Sequence, residues 1–342
     1  MRSVVYSRTG QPSVLDLVER ELQEPSPGEV RVRVVVSGVN PTDWKSRKGS
    51  EEGGRPPFPE VVPNQDGAGV IDALGEGVES LHVGDRVWVY LAGHQRPTGT
   101  AQEYTNLPAA RVVPLPIGTS FDVGASLGVP AMTAHRALTV SEDGPVRLHP
   151  GALDGKVVLV AGGAGAVGHA AIQLARWAGA TVITTISSNE KAELATRAGA
   201  HHVVNYRTDD AAAAIGAVAP DGVDLVVEVA ISANAALNLA VVKPRASVAI
   251  YADDGGDTFA LDVRSNMVKN TRYQFVLLYT VGDPALNAAV EDVTRALADD
   301  ALPVGEDAGL PLHRFPLKET AAAHQAVEDA VIGKVLIDVS AG

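Results

Sequence analysis

The stretch from Lys156 to Gly179 constrains this chain more than any other. Val157 to Ala161 is a short, β-branched apolar run of the kind a buried parallel strand requires. Gly163, Gly165 and Gly168 follow in G-x-G-x-x-G spacing. Val167, Ala171, Leu174 and Ala178 then recur at helical intervals until Gly179 stops the helix. A strand, a glycine-rich turn and a helix in that order are the context a dinucleotide-binding motif needs. The first glycine permits a tight turn, the second lets backbone approach a pyrophosphate, and the third lets helix pack on strand. The backbone at Gly165, Ala166 and Val167 then presents N–H groups and a positive dipole end to phosphates. The competing reading is a glycine turn with no ligand. The flanking strand and helix favour the cofactor.

The second strand, Thr181 to Ile186, ends where the adenosine ribose is read, and an acid there would favour NAD. The sequence supplies Ser187-Ser188-Asn189-Glu190-Lys191. Glu190 is its only acid, and Ser187-x-x-Glu190 fits a helix capping box. Ser187, Ser188 and Lys191 suit a 2′-phosphate instead, and Tyr206 and Arg207, at the end of the third strand, can stack on adenine and add charge. Solvated surface charge is the alternative for Lys191 and Arg207. Together these residues favour NADPH over NADH.

At 342 residues the chain is expected to form two domains. A net charge of −13 argues against a general nucleic-acid or acidic-membrane surface. The absence of cysteine excludes disulfides, a thiolate nucleophile and a cysteine zinc site, and fits a cytoplasmic location. Met1 to Tyr6 reads as a strand, with no signal-like apolar region, and no apolar run reaches membrane-spanning length.

Residues 1–126 read as β structure with frequent turns, suggesting a barrel-like domain. Arg2 to Tyr6 and Leu15 to Leu22 suggest an opening pair. Val30, Val32 and Val34 alternate with Arg31 and Arg33 in a strand over Glu29 to Val36, and Gly67 to Leu74 and Arg86 to Tyr90 are further strands. Lys48 to Pro63, rich in Gly, Pro and charge, reads as a mobile loop. From residue 127 strand and helix alternate. A linking helix at Pro130 to Leu138 is followed by strands at Val157–Ala161, Thr181–Ile186, His202–Tyr206, Leu225–Ala230, Ser247–Tyr251 and Gln274–Thr280, with helices between them. That alternation implies a doubly wound parallel sheet. Residues 305–342 read as a return to the first domain, so the expected division is 1–126 with 305–342, and 127–304.

Several segments in order carry a resemblance. They are Gly38-Val39-Asn40-Pro41-Thr42-Asp43, Pro63 to Val70, Val83 to Val87, Leu127 to Ala134, the glycine loop, and Gly199 to Val203 with Asn205-Tyr206. The set resembles the medium-chain dehydrogenase/reductase superfamily, and within it the zinc-free NADPH:quinone oxidoreductase (zeta-crystallin-like) group. The resemblance implies an α/β chain with a GroES-like, β-barrel-type catalytic domain and a Rossmann domain. Zinc-dependent relatives carry a cysteine near Asn40 and a histidine–acid pair near Gln65-Asp66. Asn and Gln amides are poor substitutes, so no metal is expected. His201 and His202, adjacent on a predicted strand, point to opposite faces and cannot chelate together.

By the same resemblance Asn40, Asp43, Gln65 and Thr133 line the nicotinamide and substrate cleft. Asn40 has an equal claim as a turn residue before Pro41, Asp43 as a helix cap, and Thr133 as a packing residue. Relatives often have a tyrosine where Lys45 stands, which puts quinone stacking there in doubt. Ala230, Tyr251 and the strand holding Phe275 and Leu277 are expected to flank the nicotinamide ribose. Lys334 matches a position where relatives reach the cofactor, its alternative being a solvated lysine. The Phe275–Tyr279 strand is a sheet edge of the kind relatives pair across a dimer, so a homodimer is expected, with a tetramer as the alternative.

Without a strong Lewis acid the acceptor is expected to be electron-poor in its own right, as quinones and conjugated enones are; the resemblance implies a quinone, reduced by hydride or by single electrons. An enone, alkenal or enoyl double-bond reductase is the second reading. A non-catalytic NADPH- or RNA-binding, crystallin-like protein is the third, its RNA form weakened by the net charge.

Overall fold

In the computed structural model, which describes residues 1–340, the chain divides into two compact units. One is Met1–Val129 together with the segment from Leu312 onward, and the other is Pro130–Pro311. The boundaries fall at 129/130 and 311/312, where the sequence placed them at 126/127 and 304/305.

In the first unit β1 (Arg2–Val5) and β2 (Asp16–Glu19) pair antiparallel. The organising strand is β3 (Glu29–Val39), followed by helix α1 (Pro41–Lys48), β4 (Asp66–Leu74), β5 (Arg86–Val89), β6 (Tyr104–Pro108), β7 (Val112–Pro114) and the short α2 (Phe121–Gly124). Val30 and Val32 are wholly buried in one core cluster, with Ile71, Val87 and Leu107. Arg31, between them, has its guanidinium on Asp72 at 2.6 Å. The alternation read from the sequence therefore separates an apolar face from a face of ion pairs.

The second unit opens within α3 (Gly128–Leu138). It comprises β8 (Val157–Ala161), α4 (Ala166–Trp177), β9 (Thr181–Ile186), α5 (Asn189–Arg197), β10 (His202–Asn205), α6 (Ala211–Val218), β11 (Val223–Glu228), α7 (Ile231–Val241), β12 (Val242–Ile250), α8 (Val263–Lys269), β13 (Arg272–Phe275) and α9 (Asp283–Ala298). Its six strands are parallel, in the order β10-β9-β8-β11-β12-β13. The order in which the chain adds strands reverses between β8 and β11. Ligands of doubly wound sheets bind at the carboxyl ends of the strands at such a point. The chain then re-enters the first unit as β14 (Leu312–Pro316), α10 (Thr320–Glu328) and β15 (Lys334–Asp338), and β15 pairs antiparallel with β3.

Some sequence expectations shift. The strand placed at Gln274–Thr280 is Arg272–Phe275, with Leu277 beyond it and a 3-10 turn at Leu278–Thr280. Its partner β12 ends at Ile250, opposite Phe275, so the later apolar residues have no strand to pair with. β12 itself starts at Val242 rather than Ser247. His201 precedes β10, and its ring accepts from the Val182 N–H at 2.9 Å. β6, β7 and the mostly polar α8 were not foreseen.

Candidate active site

The glycine loop sits at the carboxyl end of β8. The left-handed residue is Gly162, with φ of +71°, and not Gly163, to which the sequence assigned the tight turn. Gly163 is required for another reason: a Cβ there would lie 2.2 Å from Thr184 Oγ1 on β9. Gly168 is required because its Cβ would meet the Gly162 carbonyl at 2.3 Å, which is the close helix–strand approach expected of the third glycine. Gly165, the N-cap of α4, differs from both. Its Cβ would meet only the Gly162 carbonyl, at 3.5 Å, so no close protein contact demands a glycine there. A glycine kept in open space leaves room for a ligand against the backbone. The first-turn N–H groups of α4, at Ala166, Val167 and Gly168, have no intrahelical partners and point the positive end of the dipole the same way. This cradle fits a dinucleotide pyrophosphate.

The adenosine-side candidates gather at the ends of β9 and β10, which are neighbouring parallel strands. Ser188, not Ser187, caps α5, accepting from the Lys191 N–H at 3.3 Å; Glu190 is exposed in the first turn, so the Ser187–Glu190 capping box does not form. Ser187 is thereby released, and its hydroxyl accepts from Lys191 Nζ at 3.2 Å. Tyr206 follows β10 with its side chain 52% exposed. An ammonium, a hydroxyl and an open aromatic ring thus stand at two neighbouring strand ends, where the Asp209 carboxylate is engaged by the Asn205 N–H at 3.0 Å.

At the end of β11 stands a residue the sequence reading missed. Glu228 is fully buried. Its carboxylate accepts from the Ala230 N–H (2.7 Å), Asn234 Nδ2 (2.9 Å) and Asn238 Nδ2 (2.6 Å). This ties Ala230 and α7 to the carboxyl end of the sheet. The one available signal was an acid ending the apolar run Val223–Val227. Burial, with the Glu228 charge next in importance, pushes the Tyr251 hydroxyl well above the usual phenol range, so it stays protonated. Phe275 and Leu277 lie at the β13 edge, 63% and 58% exposed, and the Phe275 ring sits 6.4 Å from that of Phe259.

In the first unit, strand pairing assembles a second cluster. Val335 pairs with Val39 and Gly38 with Asp66, so Lys334, Asn40 and Asp66 meet at one corner of the sheet. Lys334 is only 2% exposed; Nζ donates to Asn40 Oδ1 at 2.6 Å and to the Val39 carbonyl at 3.0 Å. Asn40 Nδ2 donates to Asp66 Oδ2 at 2.7 Å, and Asp66 also accepts from the Val129 N–H. Asn40 is the N-cap of α1. Asp43, at the third helical position rather than the cap, accepts from the Asn40 N–H (2.7 Å) and the Gln65 N–H (3.1 Å). The Gln65 side chain accepts from the Gly93 N–H at 3.1 Å. Asn40, Asp43, Gln65 and Lys334 are therefore brought together, with Asp66, while Thr133 lies in α3 among the residues of the second unit. Burial pushes the Asp43 carboxyl up to about 8, with the Asp66 charge adding to it, and burial pushes Asp66 up to about 6 against the pull of Lys334. Burial pushes the Lys334 ammonium down, with both carboxylates opposing.

These residues do not fit zinc. Its preferred donors are thiolate sulfur and imidazole nitrogen, whereas this corner holds two carboxamides and carboxylates already engaged by N–H donors. An ammonium lies among them, on the carboxamide oxygen a metal would need.

Comparison with known proteins gives a consistent pattern. Residues 26–117 match the family described as "Alcohol dehydrogenase GroES-like domain", and residues 166–296 match "Zinc-binding dehydrogenase". A quinone oxidoreductase of Lama guanicoe is 31% identical over 98% of this chain and 97% of its own. A 2-haloacrylate reductase of Burkholderia sp is 30% identical over 95% and 94%. Among solved structures, a mycobacterial protein complexed with NADPH superposes with a TM-score of 0.81 at 27% identity, over 98% of this chain and 99% of that one. An NAD-dependent alcohol dehydrogenase gives 0.84 at 27% identity, over 99% and 100%.

Proposed function

The chain belongs to the medium-chain dehydrogenase/reductase superfamily, and from that premise we propose a zinc-independent, NADPH-dependent reductase whose acceptor is a quinone. The observation that carries the reading is the donor set around Asn40. It is built for hydrogen bonding and charge balance, so the acceptor must be electron-poor in its own right. A quinone meets that requirement, and a quinone oxidoreductase is among the relatives matched along almost the whole chain.

Bound NADPH supplies the hydride. The chain's own residues do the rest. The backbone from Gly165 to Gly168 holds the pyrophosphate, and Ser187 and Lys191 hold a 2′-phosphate, with Tyr206 beside the adenine. Glu228 fixes Ala230 and the start of α7. Lys334 and Asp66 hold the Asn40 carboxamide in one orientation, oxygen toward the ammonium and nitrogen toward the carboxylate. One amide hydrogen of Asn40 is left for an acceptor oxygen, and water returns the proton that completes the reduction.

A homodimer joined through the β13 edge belongs to the same proposal. Phe275, Leu277 and, on α8, Val263, Met267 and Val268 are all more than half exposed. Exposed apolar residues beside an unpaired strand edge favour pairing with a second copy. A cytoplasmic location is proposed with it; no helix among the described residues is long and apolar enough to cross a membrane.

The second reading, a double-bond reductase, is favoured by the 2-haloacrylate reductase relative. Purified protein mixed with NADPH or NADH across a panel of quinones and conjugated enones separates the two. Rapid NADPH loss with quinones is the expected result. Turnover with enones alone refutes the quinone assignment, and NADPH binding without turnover on either panel refutes reductase activity toward both.

A further inference from the structure

A second cavity opens at the other end of the parallel sheet. The glycine loop lies at the carboxyl end of β8; this cavity lies at the amino ends of β8, β11 and β12. It encloses about 180 Å³, and its floor is apolar: Leu138, Leu153, Val158 and Leu225. Nothing in the cofactor reading uses it.

The rim has an unusual charge arrangement for a chain of net charge −13. Asp224 is shared by two ammonium groups, Lys156 at 3.2 Å and Lys243, and it also accepts from the Val157 N–H at 3.0 Å. Asp143 is likewise shared by two guanidinium groups. Arg245 grips it through Nε (2.8 Å) and a terminal nitrogen (2.6 Å), and Arg272 reaches it at 3.5 Å while also pairing with Glu142. Lys156, Lys243 and Arg245 all line the cavity, against the carboxylates of Asp143 and Asp224. Each ammonium carries three donors and is about a third exposed, so the shared carboxylate does not exhaust its donor capacity.

The backbone points the same way. Arg245 holds a left-handed conformation, with φ of +70°, where the register between β11 and β12 shifts. A long β-branch-free cation at such a position is uncommon, and backbone outliers of this kind cluster where a side chain must be aimed. Here the outlier sits on the cavity wall with its guanidinium at the rim.

We propose that this cavity is a binding site for a small amphiphilic anion, an aliphatic carboxylate whose chain lies on the leucine floor and whose head is held by Lys156, Lys243 and Arg245. An apolar floor with few, convergent polar groups is the composition of small-molecule sites, and the volume suits a chain of several carbons. The carboxylate class follows from the donors: two point-charge ammonium groups that share one carboxylate, beside a guanidinium whose fork already holds Asp143, suit a single small anion. The inference is independent of the acceptor and cofactor assigned above.

Isothermal titration with octanoate tests it, with octanol of the same length as the neutral control. The wild-type protein is expected to bind one octanoate, and octanol at least ten-fold more weakly. The Lys156→Met/Lys243→Met/Asp224→Asn triple variant removes both ammonium groups and the carboxylate they share. It therefore leaves no unpaired charge and keeps an acceptor for the Val157 N–H. It is expected to lose octanoate affinity at least ten-fold while its thermal midpoint stays near wild type. Gly165→Ala, at the opposite end of the sheet, is expected to bind octanoate as wild type does. No octanoate binding at millimolar concentration overturns the proposal. So does equal binding of octanol, or undiminished binding by a folded triple variant.

Discussion

Replacing Lys334 with methionine tests the buried cluster of the first unit most directly. Methionine keeps much of the stem and removes the ammonium. Asn40 Oδ1 and the Val39 carbonyl, now 2.6 and 3.0 Å from Nζ, lose their donor, and Asp43 and Asp66 lose their cation. Breaking a buried pair by removing one partner costs about 3–5 kcal/mol. At roughly 2–4 °C per kcal/mol, the thermal midpoint is expected to fall by about 6–20 °C. The effect has a definite pH dependence. Burial holds the carboxyls of Asp43 and Asp66 above their unfolded value, at about 8 and about 6. A raised carboxyl contributes stability that is full below its unfolded pKa and is lost as pH rises through the folded one. Protonated carboxyls need no counter-cation, so the Lys334→Met loss is expected to be smaller at pH 5.5 than at pH 8. Adding Asp66→Asn is expected to restore about half of it at pH 8. With Lys334 gone, Asn40 is free to flip and present its oxygen to the new amide. Thermal unfolding of the three proteins at both pH values, followed by circular dichroism, is the assay. A loss below about 1 kcal/mol, or one equal at the two pH values, refutes the account of Lys334 as the charge that holds this corner together.

Three further outcomes are expected. Lys191→Met removes a charge-assisted contact worth about 1.5–3 kcal/mol, so steady-state kinetics should show kcat/KM for NADPH falling about 10–100-fold, with NADH unaffected; equal losses for both cofactors would place Lys191 elsewhere than at the 2′-phosphate. Two glycines should separate fold from ligand. Gly168→Ala forces a Cβ to within 2.3 Å of a carbonyl and should cost about 1–3 kcal/mol in thermal unfolding, whereas Gly165→Ala should melt as wild type yet bind NADPH more weakly by titration. If the proposed dimer forms through the β13 edge, wild type should scatter light as a dimer and Phe275→Lys, at a position 63% exposed there, as a monomer, without a lower midpoint of the isolated fold.

The sequence carried much of the second unit because its signals are local. A β-branched run, a glycine pattern and a helical stripe within Val157–Gly179 are enough to specify strand, turn and helix. Local signals were less able to divide labour among neighbours. Gly162 takes the left-handed turn that pattern-matching gave to Gly163, since the motif fixes spacing and not which peptide rotates. Ser188 caps α5 in place of Ser187, because two adjacent serines offer the same hydroxyl and only the chain's direction at Ile186 selects one. Glu228 passed unnoticed, since an acid ending a strand gains meaning only when Asn234 and Asn238 turn toward it.

The sequence alone determined the parallel βαβ plan, the glycine cradle and the absence of thiol donors, because each depends on residues close in the chain or on composition. Only the tertiary structure decided the setting of Lys334. Nothing near it in sequence distinguishes a surface lysine from a buried one. It is buried because β15 returns antiparallel to β3 in a register that sets Val335 opposite Val39, while β4 brings Asp66 opposite Gly38 on the other side. A charge can remain inside a protein only where opposite charges and hydrogen-bond acceptors already wait, and strand pairing across nearly the whole chain supplies them.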